Sequence, residues 1–228
     1  MALAVIFDLD GCLADSEPLS LEAVAAEMRG LGIEDARADR IRHEFLGVTI
    51  GAICTWVSDR TGKPCPPDFQ HRIESRLFRS YEQGLDQIPG ARALLEELRD
   101  AEVPMAIATG GSLERMGKTL HHAGLADLFV GRGFSAEQVR HGKPAPDLFL
   151  FAAGNLGVAP ADCIVVEDSP HGIKGAVAAG MRAFGFVGGS HLDGIRDSHV
   201  ETLRSAGAEA VFDDLAALSR SLHRALGE

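Results

Sequence analysis

The chain is 228 residues long, 46% hydrophobic and 24% charged, with a formal net charge of −11 at pH 7. That length suits one substantial core, or a core with a smaller satellite, and the composition excludes disordered and fibrous classes. The acidic balance argues against nucleic acid or an anionic membrane as partner, since both demand a basic footprint; an anionic small ligand therefore needs a local positive centre, either a metal ion or a well-placed lysine.

In chain order, the first predicted element is a strand over L-A-V-I-F that runs straight into Asp8. The opening M-A-L-A-V-I-F has no basic stretch and is too short for a signal peptide or a membrane span, so a cytoplasmic protein is expected. From about residue 16 to 87 the spacing is helical throughout, with one stripe at Leu21, Val24, Ala25, Met28 and Leu31 and another at Phe69, Ile73, Leu77 and Tyr81. Breakers at Gly30/Gly32, Gly47, G-K-P-C-P-P (62–67) and Gly84 divide this stretch into about four helices.

Strands and helices then alternate. A helix is predicted over 91–101, a strand over V-P-M-A-I-A before Thr109, a helix over 146–156 and a strand over C-I-V-V before Glu167 and Asp168; further strands fall at 182–187 and 210–212. Apolar runs that are continuous rather than alternating belong to strands buried on both faces of a parallel sheet. The alternation predicts a Rossmann-like α/β fold, a parallel sheet between two helical layers. Residues 1–15 and 88–228 form its core, and 16–87 is a helical insert. In such sheets ligands sit beyond the carboxyl ends of the strands, so the polar ends of the three apolar runs point to one crevice. The cysteines, Cys12, Cys54, Cys65 and Cys163, form no C-x-x-C pair and read as reduced structural thiols.

Asp8 at a strand end is a potential nucleophile, and Asp10, two residues on, points to the same side of an extended chain, where it can act as general acid and base. Two acids this close raise each other's pKa unless a cation binds between them, and Mg²⁺ suits one or two carboxylates with phosphate oxygens. Taken alone, D-L-D-G is equally a surface turn. A calcium loop is excluded because Gly11 comes at the wrong position. Three distant features weigh on the choice. Thr109, Gly110 and Gly111 precede Ser112, a helix N-cap, and offer an oxyanion corner. Lys143 stands in the Gly/Pro frame H-G-K-P-A-P-D, and Glu167 and Asp168 form an acidic pair before a helix. Each alone has an ordinary structural reading: a turn, a solvated lysine, an acidic helix start.

Together, D-L-D-G (8–11), Thr109, G-K-P (142–144) and E-D (167–168) resemble the haloacid dehalogenase superfamily over nearly the whole chain. D-S-E (15–17), I-P-G-A (88–91), P-A-P-D (144–147) and E-D-S-P-H-G-I (167–173) are further matches. The insert is similar to the family's α-helical cap, in the branch of β-phosphoglucomutase and small sugar-phosphate phosphatases. The resemblance implies that Asp8 attacks phosphorus and Asp10 serves as acid and base, while Thr109, Gly110, Gly111 and Lys143 bind the phosphoryl oxygens. Asp8, the Asp10 backbone and Asp168 would hold Mg²⁺, with Glu167 in support. It implies a Mg²⁺-dependent phosphatase that hydrolyses a small phosphorylated metabolite, a sugar or sugar-acid phosphate, through an aspartyl phosphate, as a monomer or homodimer.

Within the family, Asp10 argues against dehalogenation, which keeps no acid there, and Lys63 is the only cap lysine for a phosphonatase Schiff base. Mutases carry a histidine where Ser20 stands and an arginine in the loop that here reads F-L-G-V-T-I (45–50), so the phosphatase is favoured over the mutase. By resemblance, cap closure hinges near Asp15–Pro18 and Gln87–Gly90, and Leu46, Gly47, Val48 and Thr49 form the specificity loop. Arg72, Arg76 and Arg79 are either a solvated helix face or a site for a second anionic group. His121, His122 and His171 read as surface or helix-start residues. A non-catalytic binding protein would be expected to lack one of the catalytic groups, and all are present.

Overall fold

The computed structural model describes residues 3–45, 48 and 50–226. A six-stranded parallel sheet comprises β1 (Ala4–Phe7), β2 (Met105–Thr109), β3 (Gly133–Ser135), β4 (Cys163–Glu167), β5 (Arg182–Phe186) and β6 (Ala210–Phe212). Their spatial order is β3-β2-β1-β4-β5-β6. Val5 pairs with both Met105 and Ile164, and Ile6 with both Ala106 and Val165. Every residue of β1, β2 and β4 is buried, which is why their sequences are apolar without alternation.

The chain forms two compact units, Met1–Asp15 with Leu85–Glu228, and Ser16–Gly84. The second unit consists of α1 (Glu17–Gly30), α2 (Ala38–Phe45), α3 (Ile50–Thr61) and α4 (Phe69–Tyr81), with α1 packed on α2 and α4. Leu21, Val24, Ala25 and Met28 from α1 and Phe69, Ile73, Leu77 and Tyr81 from α4 are its buried stripes. Glu27 is buried among them and accepts two hydrogen bonds from Arg76, at 2.8 and 3.0 Å, with Arg72 Nε 3.5 Å away. Two of the arginines considered for a second anionic group are thus engaged by a carboxylate of their own unit, whereas Arg79 is exposed. Leu46, Gly47 and Thr49 of the expected specificity loop lie outside the described residues.

In the first unit, α5 (Ala91–Asp100) buries Ala91, Leu94, Leu95 and Leu98, the stripe expected of an amphipathic helix. It is followed by α6 (Leu113–His122), α7 (Asp147–Leu156), α8 (Pro170–Ala178), α9 (Arg196–Ala206) and α10 (Leu215–Leu226). α7 packs on β1, β2 and β3, α8 on β4 and β5, and α5 against α10. Right-handed crossovers that run one way from β1 to β3 and the other way from β4 to β6 place helices on both faces. The reversal falls between β1 and β4, the point in a doubly wound sheet at whose carboxyl ends ligands bind.

Strand β3 escapes the sequence reading because Gly133-Phe134-Ser135 is short and carries one apolar side chain; it exists by pairing with β2, Ile107 opposite Gly133. At the unit boundary, Ala14 bridges Gln87 in antiparallel fashion, Asp15 N–H donates to Asp86 O (2.9 Å) and Ile88 N–H to Leu13 O (2.9 Å). No described helix is long and apolar enough to cross a membrane.

Candidate active site

The sheet delivers its polar residues to one end. Asp8 follows β1 and donates its N–H to Val166 O at 2.9 Å, which continues the ladder by one residue. Thr109 closes β2, Glu167 closes β4 and Asp168 comes next. From the segment before α7, Lys143 places Nζ 2.6 Å from Asp8 Oδ1 and hydrogen-bonds Glu167 Oε1, with its ammonium 5.3 Å from the centre of the Phe149 ring.

Glu167 is fully buried and its second oxygen accepts from the Ser169 N–H (2.9 Å) and hydroxyl (3.0 Å). Ser169 in turn caps α8 by accepting from Gly172 N–H at 3.0 Å. A methyl group on Gly172 would lie 1.8 Å from Glu167 Oε1, so the helix approaches the carboxylate as closely as it does only because residue 172 has no side chain.

Asp10 lies in the turn that follows, where Gly11 adopts φ +81° and donates to Ala14 O at 2.8 Å. Its Oδ1 is 3.1 Å from Arg115 Nη2. Ser112 caps α6 by accepting from Arg115 N–H at 3.0 Å, as its position in the sequence predicts. In the oxyanion corner, Gly111 N–H donates to Thr109 Oγ1 (3.1 Å), and the Ser135 hydroxyl donates to Gly111 O (2.5 Å). β3 thereby fixes the loop that holds Gly110 and Gly111.

The electrostatics are strained. Burial pushes the Asp8 carboxyl well above the usual carboxylate range, and Glu167, Asp168 and Asp10 add to the rise while Lys143 opposes it. Burial would lower Lys143, but Asp8 and Glu167 outweigh it and hold the ammonium charged above its usual range.

A family model described as haloacid dehalogenase-like hydrolase matches residues 3–180. The chain belongs to the haloacid dehalogenase-like hydrolase family. It is 34% identical over 177 residues to hexitol phosphatase A of Escherichia coli (strain K12), covering 77% of this chain and 78% of that protein. It is 29% identical over 189 residues to 6-phosphogluconate phosphatase of the same organism, covering 82% and 84%. Among solved structures, a conserved haloacid dehalogenase-like protein of unknown function from Agrobacterium tumefaciens str. C58 superposes with a TM-score of 0.83 at 32% identity, over 100% of both chains.

Members of this family generally use Mg²⁺, and the donor set here fits such an ion. Four carboxyl groups, Asp8, Asp10, Glu167 and Asp168, crowd this end of the sheet with Lys143 and Arg115 beside them, and carboxylate oxygen is the donor a hard cation prefers. Asp8 and Asp168 offer oxygens within 4.8 Å of each other and of Cys12 Sγ. Burial, reinforced by Asp168, Asp8 and Glu167, pushes the Cys12 thiol well up, and sulfur is a poor donor for a hard cation. Both oxygens of Glu167 are taken by Lys143 and Ser169, which leaves its side chain committed to protein partners.

Two site residues were missed by sequence reasoning. Arg115 carried a faint signal, a cation in the first turn of a helix, where the dipole disfavours it. His191, 3.1 Å from Asp168 Oδ2, carried none beyond following G-G-S.

Proposed function

We propose that the protein is a Mg²⁺-dependent phosphatase that hydrolyses a small phosphorylated sugar or sugar acid through an aspartyl phosphate on Asp8. The observation that carries this reading is the Lys143 ammonium held between Asp8 and Glu167 at the carboxyl end of the sheet. The named relatives, a hexitol phosphatase and a 6-phosphogluconate phosphatase, support the substrate class.

In this reading an Asp8 oxygen attacks phosphorus while Asp10 gives a proton to the leaving ester oxygen. Asp10 then takes a proton from the water that attacks the acyl phosphate, which returns Asp8 and releases phosphate. Lys143, Thr109 and the N–H groups of Gly110 and Gly111 receive the phosphoryl oxygens; Gly111 N–H exchanges Thr109 Oγ1 for substrate. Glu167 is assigned to Lys143, whose position it fixes. Asp8, the Asp10 backbone and Asp168 would hold the metal, which would supply neutralisation of phosphoryl and aspartate charge. The helical unit, Ser16–Gly84, selects the substrate. The free cysteines fit a reducing, cytoplasmic setting.

The test is phosphate release from a panel of sugar phosphates, sugar-acid phosphates and nucleotides, with and without Mg²⁺, for the native protein and Asp8→Asn. Metal-dependent release that Asp8→Asn abolishes is expected. Interconversion of sugar phosphate isomers without release would establish a mutase instead, and silence in both would overturn the catalytic reading for these substrates.

A further inference from the structure

The loop that follows β5 turns back toward the site. Ser190 N–H donates to Asp15 Oδ1 at 3.2 Å, and Leu192 N–H to Gly189 O at 3.1 Å. These contacts bring the buried His191 ring beside Asp168, with Nε2 3.1 Å from Oδ2 and only 1% of the side chain exposed. A second imidazole, that of His199 on α9, lies with Nε2 2.6 Å from the Asp168 backbone oxygen. A carbonyl oxygen only accepts, so His199 presents its Nε2–H to the Asp168 main chain, while the His191 ring makes a close polar approach to the Asp168 carboxylate. Asp168 thus meets an imidazole at both its side chain and its main chain.

The slot for His191 is made by two glycines. A methyl group on Gly11 would lie 2.7 Å from His191 Cε1 and 2.3 Å from Asp168 Oδ2. One on Gly189 would lie 2.7 Å from both Cε1 and Nδ1 of the ring. The ring therefore sits against the turn that carries Asp10, in space cleared on either side.

We infer that His191 is a positioning residue, which aims the Asp168 carboxylate at the divalent cation by holding an imidazole nitrogen against its Oδ2. The inference rests on the cation site proposed above. Groups in this relation to a ligand change metal affinity by about 10–100-fold when removed.

The experiment is direct Mn²⁺ titration of the purified, substrate-free protein by electron paramagnetic resonance, with metal-free melting curves alongside. His191→Met removes the polar group at similar volume, His191→Gln retains one, and Gly189→Ala displaces the ring without deleting it. Asp168→Asn controls for the site itself. Expected are loss of tight binding in Asp168→Asn, binding weakened about tenfold in His191→Met and Gly189→Ala, and near-native binding in His191→Gln. Native affinity in Asp168→Asn would overturn the cation site and the inference with it. Weakened binding in Asp168→Asn with native affinity in His191→Met and Gly189→Ala would overturn the inference alone. So would His191→Gln as weak as His191→Met, since packing rather than the polar group held against Asp168 would then be responsible. If His191→Met does not fold, Gly189→Ala decides.

Discussion

Arg115 reaches back from the first turn of α6 to place Nη2 3.1 Å from Asp10 Oδ1, both side chains being largely buried. A cation at a helix N-terminus opposes the dipole, so its place there is explained by the acid it meets and not by the helix. Arg115→Met keeps the aliphatic stem and removes the partner of Asp10. Hydrogen bonds to charged groups contribute about 1.5–3 kcal/mol, so kcat/KM on the best substrate of the panel is expected to fall about 10–100-fold. Steady-state kinetics at saturating Mg²⁺ check this; unchanged kcat/KM would remove Arg115 from the site.

Lys143→Met should be the most damaging single change. It leaves Asp8 and Glu167 buried without their counter-ion, and breaking a buried pair from one side costs about 3–5 kcal/mol. The pH dependence has a definite sign. Carboxyls whose folded pKa is raised favour the protonated native state, so their penalty is absent below the unfolded range and grows as pH rises through it. Without the lysine that opposes the Asp8 rise, the deficit relative to the native protein should be small near pH 4 and large at pH 7. In the native protein the Lys143 pKa is held above its usual range, so its contribution persists up to that range and fades only beyond it. Urea denaturation across pH measures both.

Glycines at two positions should respond in opposite directions. Gly172→Ala drives a methyl group into Glu167, and overpacking of this kind costs about 1–3 kcal/mol; it should also disturb Lys143 and lower activity. Gly154 lies on the exposed side of α7 with nothing within 4 Å of an added Cβ. Gly154→Ala should therefore stabilise by about 0.4–1 kcal/mol with activity intact. Melting temperatures of the two variants, measured together, test whether close approach or helix propensity governs each site.

The Cys65 thiol is pushed up to about 11, first by burial and then by its hydrogen bond to Cys54. Only the thiolate alkylates, so at pH 7.5 Cys65 should react about two orders of magnitude more slowly than an ordinary free thiol of pKa about 8.5. The rate should climb toward pH 11. Site-resolved mass spectrometry of iodoacetamide labelling reads this, and fast labelling at neutral pH would show that the thiol pair does not exist in solution.

What the sequence revealed depended on how local the cause was. β1, β2 and β4 were legible because burial on both faces writes a continuous apolar run, and Asp8, Thr109, Glu167 and Asp168 were legible because each ends or follows such a run. Lys143 was marked by its Gly/Pro frame. β3 was not legible, since its three residues are held by pairing with β2 and by Met116, whose Sδ lies 3.0 Å from where a Gly133 side chain would start. Arg115 and His191 meet their partners across long stretches of chain, a relation that no spacing rule records. The committed oxygens of Glu167 were equally out of reach, because sequence places an acid but does not distribute its lone pairs.

The antiparallel bridge of Ala14 with Gln87, closed by the Asp15–Asp86 and Leu13–Ile88 hydrogen bonds, brings the chain's exit from the first unit beside its re-entry. Loop-closure entropy grows only slowly with length, so a clasp of this kind tolerates a long or a short excursion almost equally. The segment between Asp15 and Leu85 is therefore a graft on a sealed stem: it can be exchanged for another, or trimmed to a tight turn, without breaking a strand of the sheet. Under the proposed function, exchange of that segment would change what the protein accepts while Asp8 and Asp10 stay where they are.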